Sequence, residues 1–163
     1  MPSGAVAPAS AFRGGSWTAQ LTWKTVVAAG GFVLALIGSF TTWVTAGGEG
    51  FGAFEEDARF RIGDWLDTSS FPIDGLVVLA LACGGLAAVW ATAAGRIPER
   101  RGTWLVGELG APLAILGVLQ MQYISSVGGS GVGWGFGLYL VVAGGAMAAL
   151  SPFAPARPVR AQH

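Results

Sequence analysis

The sequence predicts an all-α membrane protein, folded as an antiparallel four-helix transmembrane bundle with one longer extracytoplasmic loop. Three observations predict this fold class. Hydrophobic residues make up 53% of the chain, and charged residues only 11%. Soluble domains carry about 25% charged residues, so a soluble globule of this length would lack the charge to cover its surface. Finally, four apolar runs follow one another, each of about 20 residues, which is the length that crosses a bilayer.

The four runs define one membrane domain at residues 25–153, with polar segments on both sides of it. Residues 1–24 are expected to form a flexible N-terminal segment, and residues 154–163 a disordered tail. Apolar segments of this length satisfy their backbone groups as helices, because the hydrocarbon core offers no water. The predicted spans are Thr25–Ala46, Ile73–Ala94, Trp104–Ile124 and Trp134–Phe153, with an outer loop at residues 47–72.

The first run has an alternative interpretation as a cleaved signal peptide, because Val44-Thr45-Ala46 resembles a small-residue cleavage site. The apolar core of a signal peptide is usually about 7–15 residues long. Thr25–Ala46 exceeds that length, and a segment of 24 residues that includes Trp17 and Trp23 precedes it. A permanent span is therefore the favoured interpretation.

Flanking charges predict how the bundle is oriented. The connection between the second and third spans carries Arg96, Arg100 and Arg101, whereas residues 47–72 carry six acidic residues and only two arginines. Positive residues stay on the cytoplasmic side, so both termini are predicted inside and the acidic loop outside. Aromatic residues agree with this, because Trp23, Trp90, Trp104 and Phe153 fall at the inner ends and Trp43, Tyr123 and Trp134 at the outer ends.

Small residues recur at helical spacing and predict where the helices touch, since helices in lipid associate through close backbone approach. We expect these contacts to form within one chain, with a homo-oligomer as the alternative. Cys83, inside an apolar run, is expected to be a buried structural thiol. The predicted packing residues are Gly31, Ala35 and Ser39 on the first span, Ala80, Gly84 and Ala88 on the second, and Gly133, Gly137 and Gly144 on the fourth.

Glu108 lies inside the third predicted span, four residues after Trp104. Acids within a membrane point to proton relays or ion ligands. An acid near a helix N-terminus also interacts favourably with the helix dipole, so a structural, interfacial role is the alternative. Gln120 and Gln122 lie farther along the same span. These three residues form the candidate intramembrane polar site.

The outer loop contains the candidate partner-binding residues Phe51, Phe54, Glu55, Glu56, Asp57 and Trp65. Apolar residues there recur at spacings of three and four, which predicts an amphipathic helix over Phe51–Leu66. The alternation from Arg59 to Ile62 is compatible with a short strand instead. The three consecutive acids lack the spacing of a calcium-binding loop, so we expect a solvated acidic surface and no metal.

Motifs for catalysis are absent from the sequence. The single histidine is the last residue, His163, and there is no metalloprotease, nucleophile-elbow or nucleotide-loop motif. The zero net charge does not favour a nucleic-acid partner. We therefore expect no enzyme activity and no cofactor. The partners expected are the lipid bilayer and either a membrane protein or further copies of the chain.

Three short motifs carry a resemblance to a known set of proteins. They are Gly38-Ser-Phe-Thr-Thr-Trp43-Val, Asp74-Gly75-Leu, and Gly133-Trp-Gly-Phe-Gly-Leu-Tyr139-Leu. This pattern resembles small four-span membrane proteins of actinobacteria, whose function is uncharacterised. Those proteins have a proline before the tryptophan that closes the first span, where this chain has Thr42. The resemblance implies a multi-pass protein of the bacterial plasma membrane and implies no activity.

Two functional hypotheses follow. The first is an integral membrane accessory or assembly subunit that acts through protein or lipid contacts. The second is a small transporter or channel component that uses Glu108 to handle protons or a polar solute.

Overall fold

The computed structural model describes residues 22–54, 73–127 and 131–155. Four helices and a small sheet make up this part of the chain. The elements are α1 (Trp23–Ser39), β1 (Thr42–Ala46), β2 (Glu49–Gly52), α2 (Ile73–Ala93), α3 (Glu99–Val127), β3 (Val132–Trp134) and α4 (Phe136–Leu150), followed by a 3₁₀ turn at Ser151–Phe153. The mostly helical architecture predicted from the sequence is confirmed, and the sheet is an addition to it.

Three segments are long and apolar enough to cross a membrane, and they are Gly75–Ala93, Glu99–Ser126 and Phe136–Phe153. The fourth helix, α1, is apolar but has only 17 residues. A multi-pass membrane protein is compatible with these helices. The interior is filled by side chains from all four, among them Phe32 of α1, Val78 of α2, Leu113 of α3 and Leu138 of α4.

Helices that follow one another in the sequence pack together, and α4 also packs against α1, so the four helices form a closed ring. The α1–α4 contact is antiparallel, because Gly31 approaches Gly144 while Gly38 approaches Gly137. These approaches leave no room for side chains. A Cβ added to Gly31 would lie 2.5 Å from the Gly144 carbonyl oxygen, so the two backbones touch directly.

A neighbouring face of α4 packs against α3 in the same close manner. A Cβ on Gly110 would lie 2.5 Å from the backbone nitrogen of Ala149, and one on Gly117 would lie 2.6 Å from Val142 Cγ2. On α4, Gly145 meets the backbone of Ala114. Thus α4 uses two adjacent glycines, Gly144 and Gly145, to approach two different helices.

The three strands form an antiparallel sheet with the order β2-β1-β3. Strands β1 and β2 form a hairpin in which Ala46 pairs with Glu49. Its two turn residues, Gly47 and Gly48, have φ angles of 61° and 90°, a conformation that glycine adopts without strain. Strand β3 pairs Trp134 with Val44, and so connects the end of α1 to the start of α4.

The sheet corrects the prediction of a continuous first helix over Thr25–Ala46, because helix α1 ends at Ser39. The segment after it contains the β-branched residues Thr42, Val44 and Thr45, which favour strands. Backbone groups in this segment are satisfied by pairing with β2 and β3, so the chain does not need a helix there.

Other boundaries also differ from those predicted. Helix α3 begins at Glu99 and extends to Val127, so it is longer at both ends than Trp104–Ile124. Helix α4 begins at Phe136, and Gly133 lies in β3 rather than on a helix. Phe51 lies in β2 rather than in the predicted amphipathic helix, whose remaining residues from 55 onward lie outside the described part of the chain.

Candidate functional site

The three polar residues of the candidate intramembrane site lie on helix α3, but the structure does not bring them together. Glu108 and Gln122 are exposed on the outer surface, and Gln120 is buried, with 4% of its surface accessible. At about 100° per residue, Glu108 and Gln122 lie about 40° apart around the helix, and Gln120 lies about 120° from Glu108. They therefore do not form a continuous polar path.

Gln120 belongs to the stripe by which α3 packs into the bundle. The buried positions Gly110, Leu113, Gly117, Gln120 and Ile124 recur at spacings of three and four. A residue of this stripe faces the neighbouring helices, whereas Glu108 faces outward between the exposed side chains of Trp104 and Ile115. The polar residues of α3 thus serve different surfaces of the helix.

Exposed aromatic side chains surround the end of the bundle where α1 and α3 begin. Trp23, Trp90, Trp104 and Phe153 all belong to this end, and each is at least 48% exposed. The guanidinium carbon of Arg96 lies 4.4 Å from the centre of the Trp90 ring, a cation–π contact. We call this end the basic end, because Lys24, Arg96, Arg100 and Arg101 lie there.

A second set of exposed aromatic side chains surrounds the opposite end, next to the sheet. It consists of Phe40, Trp134, Phe136 and Tyr139. Trp43, which the sequence analysis placed among the interfacial aromatics, is instead buried, with 4% of its surface accessible. Its indole N–H donates to the carbonyl oxygen of Gly38 at 2.8 Å, so Trp43 is a core residue that joins β1 to the end of α1.

The two aromatic sets are separated by about the thickness of a bilayer core. Trp23 and Phe40 on the first helical segment, and Phe136 and Phe153 on the last, are each 17 residues apart. At about 1.5 Å per residue, both separations are about 26 Å. The hydrocarbon core of a bilayer is about 30 Å thick, and aromatic rings settle at its two surfaces.

A cleft lined by both apolar and hydroxyl-bearing side chains opens at the basic end, between the starts of α1 and α3 and the ends of α2 and α4. We call it the hydroxyl cleft. Its cavity volume is about 20 Å³, which accommodates about one group of the size of a water molecule. The cleft is lined by Thr22, Lys24, Thr25, Ala28, Val89, Thr92, Glu99, Gly102, Thr103, Val106 and Ser151.

Hydrogen bonding makes one wall of the hydroxyl cleft rich in donors. This wall belongs to α1, where the Thr22 and Thr25 hydroxyls share one hydrogen bond of 3.0 Å. Two hydroxyls with one bond between them leave one O–H to donate elsewhere. Lys24 is half-buried beside them, and its ammonium group supplies three further donors.

The facing wall is rich in acceptors, because its hydroxyl protons are already used. The Thr92 hydroxyl donates to the Ala88 carbonyl at 2.7 Å, and the Ser151 hydroxyl donates to Ala148 at 2.7 Å. The Thr103 hydroxyl donates to the carbonyl oxygens of Glu99 and Arg100. Oxygen lone pairs of these hydroxyls, with the Glu99 carboxylate, remain on this side.

The floor of the hydroxyl cleft is apolar. Ala28, Val89 and Val106 line it, and each has at most 8% of its surface accessible. The polar surface of the cleft therefore ends within about one helical turn of the basic end and does not continue between the helices toward the sheet.

The predicted packing residues fall into two groups. Gly31, Ala35, Ser39, Gly137 and Gly144 are buried, and the glycines among them form the α1–α4 contact.

Two of the three packing residues predicted on the second span, Ala80 and Gly84, are exposed, whereas Ala88 is half-buried and packs against the core. Among the described residues, nothing lies within 4 Å of a Cβ added to Gly84. Helix α2 packs instead through a face that contains Val78, Ala82, Gly85 and Val89, where Gly85 meets the ring of Phe32. The expectation of a buried thiol is likewise wrong, because Cys83 is exposed on the outer surface of α2.

Two of the predicted partner-binding residues are described. Phe51 and Phe54 are both partly buried, and the Phe54 ring lies 5.4 Å from that of Phe40. Glu55, Glu56, Asp57 and Trp65 lie outside the described residues. Within residues 22–54, 73–127 and 131–155, no three His, Cys, Asp or Glu side chains come together as metal ligands.

The hydroxyl cleft was not predicted from the sequence. Its hydroxyl residues come from four separate segments and form no motif along the chain. A usable signal did exist, since every helix has Ser or Thr within about one turn of its basic end.

No family model, no curated protein and no solved structure matches this chain.

Proposed function

We propose that the chain is an integral membrane accessory or assembly subunit of a bacterial plasma membrane. In this proposal all four helices cross the bilayer, both termini are cytoplasmic, and the sheet lies outside. The observation that carries it is the combination of an apolar exterior between two aromatic sets with an interior closed by backbone contacts. Such a bundle is suited to anchoring and presenting surfaces rather than to conducting solutes.

The length of α1 is compatible with this placement. Its 17 helical residues span about 26 Å. A span this short is accommodated by slight thinning of the bilayer, at a cost of fractions of a kcal/mol per Å. The direct contact of α1 with α4, which belongs to a segment long enough to cross a membrane, favours a crossing for α1 as well.

The sheet end supplies the surface that we propose for a partner protein. Thr45, Glu49 and Gly50 are exposed on β1 and β2, and the acidic residues of the outer loop follow in the sequence. Strands β2 and β3 are the edges of the sheet, and edge strands offer unpaired backbone groups to another chain. A partner with a basic surface or an extended segment fits this end best.

A transporter role for Glu108 receives less support. A relay requires polar groups in line within the protein or along a water-filled cavity. Glu108 faces outward, and it is not among the residues that line the hydroxyl cleft at the basic end. Side chains on a helix lean toward its N-terminus, so the Glu108 carboxylate leans toward the basic end and the membrane surface.

Two experiments test the proposal. The first installs a photo-crosslinking residue at Thr45 and, as a control at the other end, at Arg101. We expect a discrete adduct with another membrane protein from Thr45 and none from Arg101, after crosslinking in native membranes and purification. Purification of a monomer without any adduct from Thr45 would contradict the proposal.

The second experiment measures proton and solute flux in liposomes that contain the purified chain. We expect no flux above that of empty liposomes for the wild type, for Glu108→Gln and for the control Glu49→Gln. Flux that Glu108→Gln abolishes and Glu49→Gln preserves would favour a transporter and overturn the accessory role.

A further inference from the structure

We propose that the hydroxyl cleft binds a phosphoethanolamine group, carried by a phospholipid of the leaflet at the basic end. The inference rests on the proposed placement of this end at a membrane surface. It adds a specific lipid headgroup to the general lipid contacts of a membrane subunit.

The donor wall fits a phosphate. Lys24 is half-buried, and within the described part of the chain it forms no ion pair with a carboxylate. An ammonium group is stabilised by an anion that accepts hydrogen bonds from it. The spare O–H of the Thr22–Thr25 pair adds one more donor on the same wall. A phosphate at the mouth of the cleft satisfies both.

The acceptor wall fits a primary ammonium group. Glu99 supplies a negative charge there, and the oxygens of Thr103, Thr92 and Ser151 retain lone pairs after donating to the backbone. The cavity volume of about 20 Å³ accommodates one group of the size of water, such as an ammonium group. A trimethylammonium group has no N–H to donate to these oxygens.

The location supports a lipid as the source of this group. Trp23, Trp90 and Trp104, which neighbour the lining residues in sequence, are exposed around the same end of the bundle. Tryptophan rings settle at the level of lipid headgroups. The hydroxyl cleft therefore opens where the phosphate and amine of a headgroup lie, with the acyl chains beside the apolar helix surfaces.

The test measures ligand affinity by thermal stabilisation of the full-length chain, purified in a phosphate-free maltoside detergent. The ligands are short-chain phosphatidylethanolamine, short-chain phosphatidylcholine with identical acyl chains, and free phosphoethanolamine. We expect the ethanolamine lipid to bind about ten times more tightly than the choline lipid, as one charge-assisted hydrogen bond predicts. Free phosphoethanolamine should bind at least about ten times more weakly than the lipid, since it lacks the buried acyl chains.

Three variants separate the two walls. Glu99→Gln should reduce the preference for ethanolamine over choline to less than about twofold, because it removes the charge that pairs with the amine. Lys24→Gln should weaken both lipids about tenfold and retain the preference. Arg101→Gln, an exposed cation at the same end that does not line the cleft, should change either affinity by less than about twofold.

Equal affinity of the wild type for the two lipids would overturn the proposal. So would equal effects of Lys24→Gln and Arg101→Gln, since binding would then reflect surface charge alone. Free phosphoethanolamine binding as tightly as the lipid would assign the site to a soluble ligand. These measurements in detergent do not depend on a protein partner, so their failure is distinguishable from failure of the crosslinking experiment.

Discussion

Helices α4 and α2 have similar sequences but occupy different environments. Both are apolar and contain small residues at spacings of four. Buried residues make up 39% of the membrane-length segment that contains α4, but only 22% of the one in α2. The difference arises because α4 contacts α1 and α3 through glycines on two faces, whereas the small residues Ala80 and Gly84 of α2 face outward.

This comparison shows that a small-residue pattern predicts the possibility of close packing but not the face that uses it. Gly144 is in contact with the backbone of α1, because the antiparallel partner offers Gly31 at the same level. Among the described residues, Gly84 has no such partner.

Adding one methyl group to each helix tests the difference between α4 and α2. Gly144→Ala should lower the free energy of unfolding by about 1–3 kcal/mol, because the new Cβ would overlap the backbone of α1. Gly84→Ala should raise stability by about 0.5–1 kcal/mol, because alanine favours helices and the site is open. Unfolding in mixed detergent micelles measures both changes.

Opposite signs for these two substitutions would support the packing described for α4 and α2. A loss of stability in Gly84→Ala equal to that in Gly144→Ala would show instead that the outer stripe of α2 is a packing face, as in a homo-oligomer.

A second pair of substitutions compares a buried with an exposed tryptophan near the sheet. Trp43→Phe removes the buried hydrogen bond to the Gly38 carbonyl and should cost about 2 kcal/mol. The control is Trp134→Phe, since Trp134 also donates to a backbone carbonyl, that of Met121, but is exposed. We expect that change to cost less than about 1 kcal/mol, because water can replace the partner. Equal losses in the same unfolding measurement would contradict a core role for Trp43.

The smallest effect is expected at the hairpin that extends this contact. Gly47→Ala should cost about 1 kcal/mol, because an alanine at a φ of 61° is strained. Gly47→Asn should cost about half as much, because asparagine tolerates the left-handed region better. If both variants were as stable as the wild type, the turn would have another conformation.

Much of the fold could be predicted from the sequence because apolar length is a local property. The second helix ends within one residue of its predicted boundary, since Ile73–Ala93 was expected as Ile73–Ala94. The sheet could not be predicted in the same way. Its strands have three to five residues each, and β3 pairs with β1 across about 90 residues of sequence. Such pairing depends on the helices that bring the two ends together.

For the candidate sites too, local features could be predicted and long-range arrangements could not. Glu108, Gln120 and Gln122 were recognisable as polar residues in an apolar helix, but their faces depend on which side of α3 packs. The hydroxyl cleft depends on four helix ends meeting, which no single segment encodes. Sequence reasoning therefore located polar residues but could not combine them into sites.

In the proposed placement, the bundle crosses a membrane with the sheet outside and the basic end in the cytoplasm. Cysteine labelling tests this placement, in a Cys83→Ala background that removes the native thiol. Glu49→Cys places a thiol beside the hairpin turn, and Arg101→Cys places one at the start of α3; both positions are exposed. We predict that an impermeant maleimide labels Glu49→Cys in intact cells and labels Arg101→Cys only after permeabilisation. Labelling of Arg101→Cys but not Glu49→Cys in intact cells would contradict the orientation, and labelling of both would contradict the membrane crossing itself.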